Sequence, residues 1–439
     1  MLARIKHLVH RASSHAGFRR YAANTSWMFA EQLLRMVAGL LVGIWVARYL
    51  GPTQFGVFSY SIAFAALFGS LAKLGLDSIM VRDLVRTPEL SDVYLGTAFW
   101  LKIMGSVVML AAMVLAVRFT SNDATTNLYI FIIGSGTLFQ SFEVVDFYFQ
   151  SKVLSKFVSM CKLTQLFISS LIKLYLIYIK AELFLFVLVS LIDQITLGVS
   201  LYFAYRLQNL NNFYQYFDIK IAKKLLKDSW PLILSGIIIA IYMRIDQIMI
   251  KEFLDVKEVG LYSAAARISE IWNIIPILIC NSLFPSILNA KKVSLELYAA
   301  RLQKLYSLLV WLAIIVALSM TYLSERVVVF LYGNAFSDAS DVLMIHIWSG
   351  IFVGLATVKG KWQVSENLNH LYLYGAGISV TSNVILNYFL IPNYGIIGAA
   401  FAALMSQIIS GYLINFFFKE LRYQTTYIHR TLFFWRLFK

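Results

Sequence analysis

Long apolar stretches recur along almost the whole chain and are separated by short polar segments. Twelve of them have about 20 residues, the length that crosses the roughly 30 Å hydrocarbon core of a bilayer as a helix. Runs such as "VVMLAAMVLAV" lack the apolar–polar alternation of membrane β-barrel strands, which excludes that architecture. The predicted spans are 26–48, 55–76, 93–117, 127–149, 157–179, 183–205, 229–250, 260–288, 305–323, 341–358, 371–391 and 396–418.

The composition agrees with this pattern. Of the 439 residues, 59% are hydrophobic and 14% are charged, and the mean hydropathy is +0.71. A chain this apolar is not a soluble globule, so the sequence predicts an all-α, multi-pass membrane protein. Residues 1–25 are basic but lack the apolar core of a signal peptide, and we expect them to lie along the inner membrane surface.

The basic residues predict the orientation of the chain. If the N-terminus is inside, 25 of the 38 Lys and Arg residues fall in the termini and the even-numbered loops. Short cytoplasmic loops retain positive charge, so both termini are expected to be cytoplasmic. This bias also explains most of the net charge of +15, and nucleic acid is therefore not an expected partner.

The chain contains an internal repeat. "YLGPTQFGVFSY" (49–60) aligns without gaps on "FLDVKEVGLYSA" (253–264), which places Leu50 on Leu254 and Gly56 on Gly260. Residues 175–194 match residues 388–407 in the same way. The repeat predicts two parallel six-helix lobes around a central cavity. The expected domains are a terminal segment 1–25, an N-lobe 26–205, a linker 206–228, a C-lobe 229–418 and a cytoplasmic tail 419–439.

The linker is amphipathic over part of its length. Two interpretations stay open, a helix lying on an anionic leaflet and a solvated cytoplasmic connection. The polar side carries Lys220, Lys223, Lys224 and Lys227, and the apolar side carries Ile221, Leu225 and Leu226.

Apart from Arg48 and Asp341 at the ends of their spans, thirteen charged residues lie inside the predicted spans. Each costs about 2.5–3.5 kcal/mol near the bilayer centre, so such residues face a partner or a water-filled cavity. All of them fall within the first eight spans, which predicts a polar interior there. The basic ones are Arg35, Lys73, Lys102, Lys162, Lys173, Arg244 and Arg267, and the acidic ones are Glu31, Glu143, Asp146, Asp193, Asp246 and Glu270.

The segment "YMRIDQIMI" (242–250) holds two of these charges. Residues two apart on a helix point about 200° apart, so Arg244 and Asp246 do not neutralise each other. Asp246 is expected to pair with Arg267 on the next span, and Arg244 to face Glu270 or the cavity. The pattern leaves open whether this group is a structural clamp or a substrate-facing site.

Other charges are expected to pair within the helix bundle. Glu31 and Arg35 are four apart and share a helix face. Glu143 and Lys162 lie at similar depth on neighbouring spans, which favours an ion pair between them. Lys73 and Asp146 lie near span ends, from which their side chains are expected to reach the headgroups.

Two segments resemble a known family. They are "NTSWMFAEQLLRMVAGLLVGIWVARYLGPTQFGVFSYSIAFAALFGSLAKLGLDSIMVRDLVR" (24–86) and "RIDQIMIKEFLDVKEVGLYSAAARISEIW" (244–272), with a fainter third at "VVVFLYGNAFSDASDVLMI" (327–345). They resemble the polysaccharide transporter family, the Wzx-type O-antigen repeat-unit flippases of the multidrug/oligosaccharidyl-lipid/polysaccharide exporter superfamily.

The resemblance implies a substrate. It is undecaprenyl diphosphate carrying a short oligosaccharide, moved from the inner to the outer leaflet of the bacterial inner membrane. Because arginine's planar fork matches phosphate oxygens, Arg35 and Arg244 are expected to bind the diphosphate, with Lys102, Lys173 and Arg267 assisting.

If transport is coupled to an ion, a proton or Na⁺ is expected on Glu31, Asp193, Asp246 or Glu270. No other cofactor and no catalytic metal is expected. The expected partners are the bilayer, the lipid-linked substrate and other polysaccharide assembly proteins.

The sequence pattern disfavours three other functions. A multidrug/cation antiporter would call for an acidic cavity, whereas seven basic and six acidic residues lie within the spans. Lipid II flippases usually resemble a fourteen-span branch. An integral glycosyltransferase or polymerase needs large exterior loops, but the longest one predicted is 324–340, and no catalytic motif is present. The chain is therefore not expected to be an enzyme.

Overall fold

The computed structural model describes residues 16–208 and 210–431, and within these residues it contains helices and no strand. Short 3-10 segments and one π-helix, Ile409–Leu413, lie between the α-helices. The α-helices are α1 (Ala16–Lys73), α2 (Asp77–Arg86), α3 (Ser91–Val117), α4 (Ala124–Ser135), α5 (Val144–Ser151), α6 (Ser155–Tyr178), α7 (Leu183–Arg206), α8 (Ile219–Phe253), α9 (Val256–Trp272), α10 (Ile274–Lys291), α11 (Leu295–Tyr332), α12 (Ala339–His346), α13 (Ser349–Ser365), α14 (Asn369–Ile408), α15 (Ile414–Phe417) and α16 (Lys419–Thr431).

Ten helical stretches of the described chain are long and apolar enough to cross a membrane. The all-helical, multi-pass class predicted from the hydropathy is therefore confirmed. Two of these stretches, Ser26–Arg86 and His370–Phe417, each contain two predicted spans. The number of crossings and the orientation of the termini stay predictions.

Both of these long stretches contain a glycine at which the chain changes direction. A straight helix as long as α1 would measure about 87 Å, far more than a bilayer core. Gly51 interrupts it with φ 69° and ψ 172°, a conformation open to glycine because it has no Cβ. Gly395 interrupts α14 in the same way, with φ 60°. A Cβ on Gly398 would lie 2.6 Å from the carbonyl carbon of Leu390, so the chain folds back there.

The chain divides into two compact units. The first runs to Val46 and resumes over Phe64–Ile237, and the second comprises Ala47–Ala63 and everything from Ile238 onwards. Each unit has its own buried apolar cluster. The first includes Leu76, Met80, Leu95, Val145, Tyr205 and Phe213. The second includes Cys280, Leu302, Tyr306, Leu309 and Val358.

The predicted linker is partly a continuation of the following helix. Helix α8 begins at Ile219, ten residues before the predicted span. Ala222 and Leu225 are buried, and Lys224 donates to Asp83 Oδ2 at 2.9 Å and to Tyr94 OH at 2.8 Å. Part of the apolar side of this segment therefore packs within the first unit, whereas Leu226 is 38% exposed, and the two interpretations of the linker stay predictions.

Several local features depart from the regular helices that the hydropathy predicts. The fourth predicted span contains a 3-10 segment, Gly136–Glu143, between α4 and α5. The eighth is broken at Asn273, three residues before Pro276, whose ring cannot continue the backbone hydrogen bonds. The tenth continues to Ser365 instead of ending at 358. The expectations for residues 1–15 and 432–439 lie outside the described residues.

Candidate functional site

Buried charges in the first unit form short ion pairs. Lys102, whose side chain is 1% exposed, donates to Glu143 Oε2 at 3.0 Å, and Lys162 donates to Asp146 Oδ2 at 2.8 Å. The predicted Glu143–Lys162 pair is therefore wrong, and Asp146 does not reach towards the headgroups. The 3-10 segment explains the difference, because each of its residues turns about 20° more than in an α-helix and re-aims Glu143.

Two more of the cations predicted in this unit, Lys173 and Arg35, also contact carboxylates. Lys173 donates to Asp193 Oδ2 at 3.0 Å and to Ser169 Oγ at 2.7 Å. Arg35 lies 2.5 Å from Glu31 Oε1 on the same helix face, as the spacing of four predicts. An anionic ligand that binds any of these cations must therefore compete with a carboxylate already in place.

Arg244 and Arg267, the two cations predicted in the second unit, have longer or no contacts with carboxylates among the described residues. Arg244 Nη1 lies 4.0 Å from Glu270 Oε1, at the outer limit of an ion pair. This is one of the two positions expected for Arg244. In the part of the chain that the structure describes, Arg267 has no carboxylate within 4.0 Å. The predicted pairing of Asp246 with Arg267 is therefore wrong.

Asp246 instead accepts hydrogen bonds from neutral groups. Tyr262 OH donates to Oδ2 at 2.6 Å, and Asn387 Nδ2 donates to Oδ1 at 2.5 Å. Asn387 also donates to Asn383 Oδ1 at 3.1 Å. Asp246 is 9% exposed, and no basic side chain lies within 4.0 Å of it among the described residues. A buried carboxylate without a cation is costly, and here the hydrogen bonds from Tyr262 and Asn387 solvate it in place of an ion pair.

Further polar contacts extend this part of the second unit. Ser269 Oγ lies 2.5 Å from His346 Nδ1, and Gln407 contacts the hydroxyl of Tyr242. The expected restriction of the polar interior to the first eight spans is therefore wrong, because α12 and α14 also contribute. The missed signal was the spacing of Asn383 and Asn387, four apart in an otherwise apolar stretch.

Solved structures share the fold. An inward-facing multidrug resistance MATE family transporter of the MOP superfamily matches with a TM-score of 0.62 and 16% identity, over 88% of this chain and 95% of that one. The inward-closed lipid II flippase MurJ matches with a TM-score of 0.58 and 17% identity, over 95% and 92%. The chain therefore has the fold of MOP superfamily transporters.

The family described as "Polysaccharide biosynthesis protein" matches residues 21–291, and the chain belongs to this family. The capsular polysaccharide biosynthesis protein CapF of Staphylococcus aureus is 22% identical over 417 residues, which cover 91% of this chain and 99% of CapF. The probable flippase AglR of Haloferax volcanii is 30% identical over 187 residues, or 39% and 37% of the two chains. The resemblance drawn from the sequence is confirmed.

Proposed function

We propose that this protein is a flippase for undecaprenyl-diphosphate-linked oligosaccharide, the repeat unit of O antigen or of a similar surface polysaccharide. It moves this lipid from the cytoplasmic to the periplasmic leaflet of the bacterial inner membrane by alternating access. The observation that carries the proposal is the family match over residues 21–291 on a transporter fold. Twelve crossings follow if the chain crosses once before and once after each of Gly51 and Gly395, which places both termini on one side. The bias of the basic residues makes that side the cytoplasm.

The existing contacts of each cation indicate how available it is to bind the diphosphate. Lys102 and Lys173 are held by carboxylates at 3.0 Å, and releasing them would leave a carboxylate unpaired. Arg244 has only the long contact to Glu270, and Arg267 has no such contact among the described residues. This supports Arg244 and Arg267 as the first ligands, with Arg35, Lys102 and Lys173 joining once their carboxylates move.

The four carboxylates proposed for ion coupling differ in whether a basic side chain already lies beside them. Glu31 and Asp193 are paired with basic side chains at 3.0 Å or less, and Glu270 lies near Arg244. Asp246 receives only hydroxyl and amide donors, so a proton or Na⁺ would supply the positive charge that it lacks. We therefore assign the coupling ion to Asp246.

A deletion strain of the source bacterium tests the function. Lipid-linked oligosaccharide should accumulate on the cytoplasmic leaflet and surface polysaccharide should disappear, and the wild-type gene should restore both. Normal polymer in the deletion strain would refute the proposal. Accumulation of lipid II instead would favour a lipid II flippase, and drug sensitivity with normal polymer would favour a multidrug/cation antiporter.

Proteoliposomes with an imposed proton or Na⁺ gradient test the coupling. Translocation by the wild-type protein should rise with one of the two gradients, and Asp246→Asn should lose this dependence while Asp341→Asn, an exposed aspartate on α12, keeps it. Translocation that ignores both gradients in the wild-type protein would rule out ion coupling.

A further inference from the structure

The second unit contains a cavity of about 600 Å³ that no charge predicted from the sequence lines. Its size lies within the roughly 300–1,000 Å³ usual for small-molecule sites. Helices α8, α10, α13 and α14 and the π-helix form its walls. Most of the wall is aliphatic, with Ile239, Ile277, Val353, Leu371, Val380 and Ile414 among the lining residues. The exposed wall is mostly apolar and suits a hydrocarbon chain, while polar side chains that include Asn273, Thr357, Ser379 and Gln407 also line the cavity.

Two lysines line this cavity: Lys361, which is exposed, and Lys359, which is buried. Lys359 is 5% exposed, and its Nζ donates to Ser410 O at 2.5 Å, to Asn415 Oδ1 at 3.3 Å and to Gly411 O at 3.5 Å. All three acceptors are neutral, and no described carboxylate lies within 4.0 Å of Nζ. The Lys359 amino group therefore has only neutral acceptors and no compensating carboxylate, whereas the buried Lys102 of the first unit is paired with Glu143.

The backbone around Lys359 is built to accept it. Ser410 and Gly411 belong to the π-helix Ile409–Leu413, a widened turn of a kind that is rare and frequent at functional sites. Gly411 allows close approach of the neighbouring helix, since a Cβ there would lie 2.8 Å from Phe352 O. The irregular turn and the glycine together bring two backbone carbonyls to the ammonium group of α13.

We propose that this cavity binds an amphiphile with one anionic group, with the anion at Lys359 and the apolar chain along the aliphatic walls. An anion at this position would supply the charge that the three neutral acceptors do not. Given the proposed flippase function, on which this identification rests, the ligand is the lipid-proximal phosphate of the diphosphate together with the adjoining isoprene units of the polyprenyl carrier. Lys359 is then a binding residue additional to Arg244 and Arg267.

The position along the helix agrees with this ligand. Lys359 lies six residues before α13 ends at Ser365, or about 9 Å from that end. In the orientation predicted from the basic residues, this end faces the cytoplasm. The anion site then lies near the leaflet from which the lipid carrier is taken.

Binding to the purified full-length protein in nanodiscs tests the inference, with polyprenyl phosphate, uncharged polyprenol, phosphatidic acid and inorganic phosphate as probes. The wild-type protein should bind polyprenyl phosphate at least about tenfold more tightly than polyprenol, a difference of about 1.4 kcal/mol. Lys359→Met should reduce this ratio to near one, and Lys359→Arg should retain part of it. Ala356→Phe, which fills the cavity, should weaken both lipids. Lys304→Met, at an exposed lysine of α11, should change neither.

Several results would overturn the inference. An unchanged ratio in Lys359→Met with wild-type thermal unfolding would exclude the anion site. If Lys359→Met does not fold, the wild-type protein alone provides the test. Equal binding of polyprenyl phosphate and polyprenol by the wild-type protein would also exclude the anion site. Equal competition by phosphatidic acid would show that the occupant is an ordinary anionic lipid, and tight inorganic phosphate binding would show that the chain is not needed.

The same preparation separates this inference from the proposed function. If the wild-type protein translocates lipid-linked oligosaccharide but shows no preference for the phosphate, the cavity assignment alone fails. If it shows the preference but translocates no oligosaccharide, the flippase function alone fails.

Discussion

Gly56 and Gly260 are in mutual backbone contact, and the internal repeat aligns them with each other. A Cβ on Gly56 would lie 3.0 Å from Gly260 N and would collide with the carbonyl of Val256. A Cβ on Gly260 would lie 3.1 Å from Gly56 N and would collide with the carbonyl of Pro52. Pro52 and Val256 are also aligned by the repeat. The contact is therefore reciprocal, like the interface between two identical subunits about a two-fold axis.

Alanine at either glycine should destabilise the protein. The added methyl group meets backbone rather than a movable side chain, and overpacking of this kind costs about 1–3 kcal/mol. Gly39→Ala is the matched control, because a Cβ at Gly39 of α1 meets nothing within 4 Å. Alanine also favours a helix over glycine by about 0.5–1 kcal/mol, so the control should be as stable as the wild type or more so. The measurement is the thermal unfolding midpoint of the purified variants, and equal midpoints for all three would contradict the close contact.

The repeat illustrates what the sequence could predict. Identical residues at a constant offset show that Gly56 and Gly260 are equivalent, but equivalence alone does not place two residues in contact. The helical class followed from hydropathy because each apolar stretch has the length of a bilayer crossing. The contact between the two glycines depends on packing of distant segments, which no local pattern encodes.

The candidate site was predicted less well than the fold. The pairing of Glu143 depends on the turn angle of a short 3-10 segment, and the residue pattern of Gly136–Glu143 carries no signal for that winding. Lys359 was missed because the tenth span was predicted to end at 358, one residue before it. Arg35 and Glu31 were paired correctly because both lie on one regular helix, where the spacing of four fixes their geometry.

The Lys102–Glu143 pair should respond asymmetrically to substitution. Glu143→Gln leaves Lys102 without its carboxylate at 1% exposure, and breaking a buried pair in this way costs about 3–5 kcal/mol. Lys102→Met leaves Glu143, whose side chain is 31% exposed and can be hydrated, so the loss should be smaller. The double variant should recover part of the stability lost in Glu143→Gln. Thermal unfolding of the three variants measures this order, and a larger loss in Lys102→Met would contradict it.

Asp123 should give α4 a pH-dependent contribution to stability. Its side chain caps the helix by accepting from Thr126 N at 3.1 Å, and the hydrogen bonds from Thr126 lower the pKa of the Asp123 carboxyl. Stability from a lowered pKa is present above the unfolded value of about 3.9 and is lost as the pH falls through the folded pKa.

Asp123→Ala should cost about 0.5–2 kcal/mol at neutral pH. The difference between wild type and variant should shrink below about pH 4. Asp123→Asn keeps a cap that does not titrate and serves as the control, and a difference that stays constant with pH would refute the ionic contribution.

Removing the charge of Arg244 should abolish surface-glycan assembly without changing the amount of protein in the membrane. Its 4.0 Å contact with Glu270 contributes little stability, so Arg244→Ala should fold normally. A bound diphosphate would lose a bidentate hydrogen-bond donor. Arg244→Lys should restore part of the function, because lysine keeps the charge but not the planar fork.

Arg35→Ala should also impair assembly, but less strongly, because Arg35 is already engaged by Glu31 at 2.5 Å. Arg326→Ala is the control, since Arg326 lies over the ring of Tyr322 on α11 and has no proposed role in binding. The measurements are complementation of surface polysaccharide in a deletion strain and protein abundance in isolated membranes. Full complementation by both Arg35→Ala and Arg244→Ala would show that the diphosphate is bound elsewhere.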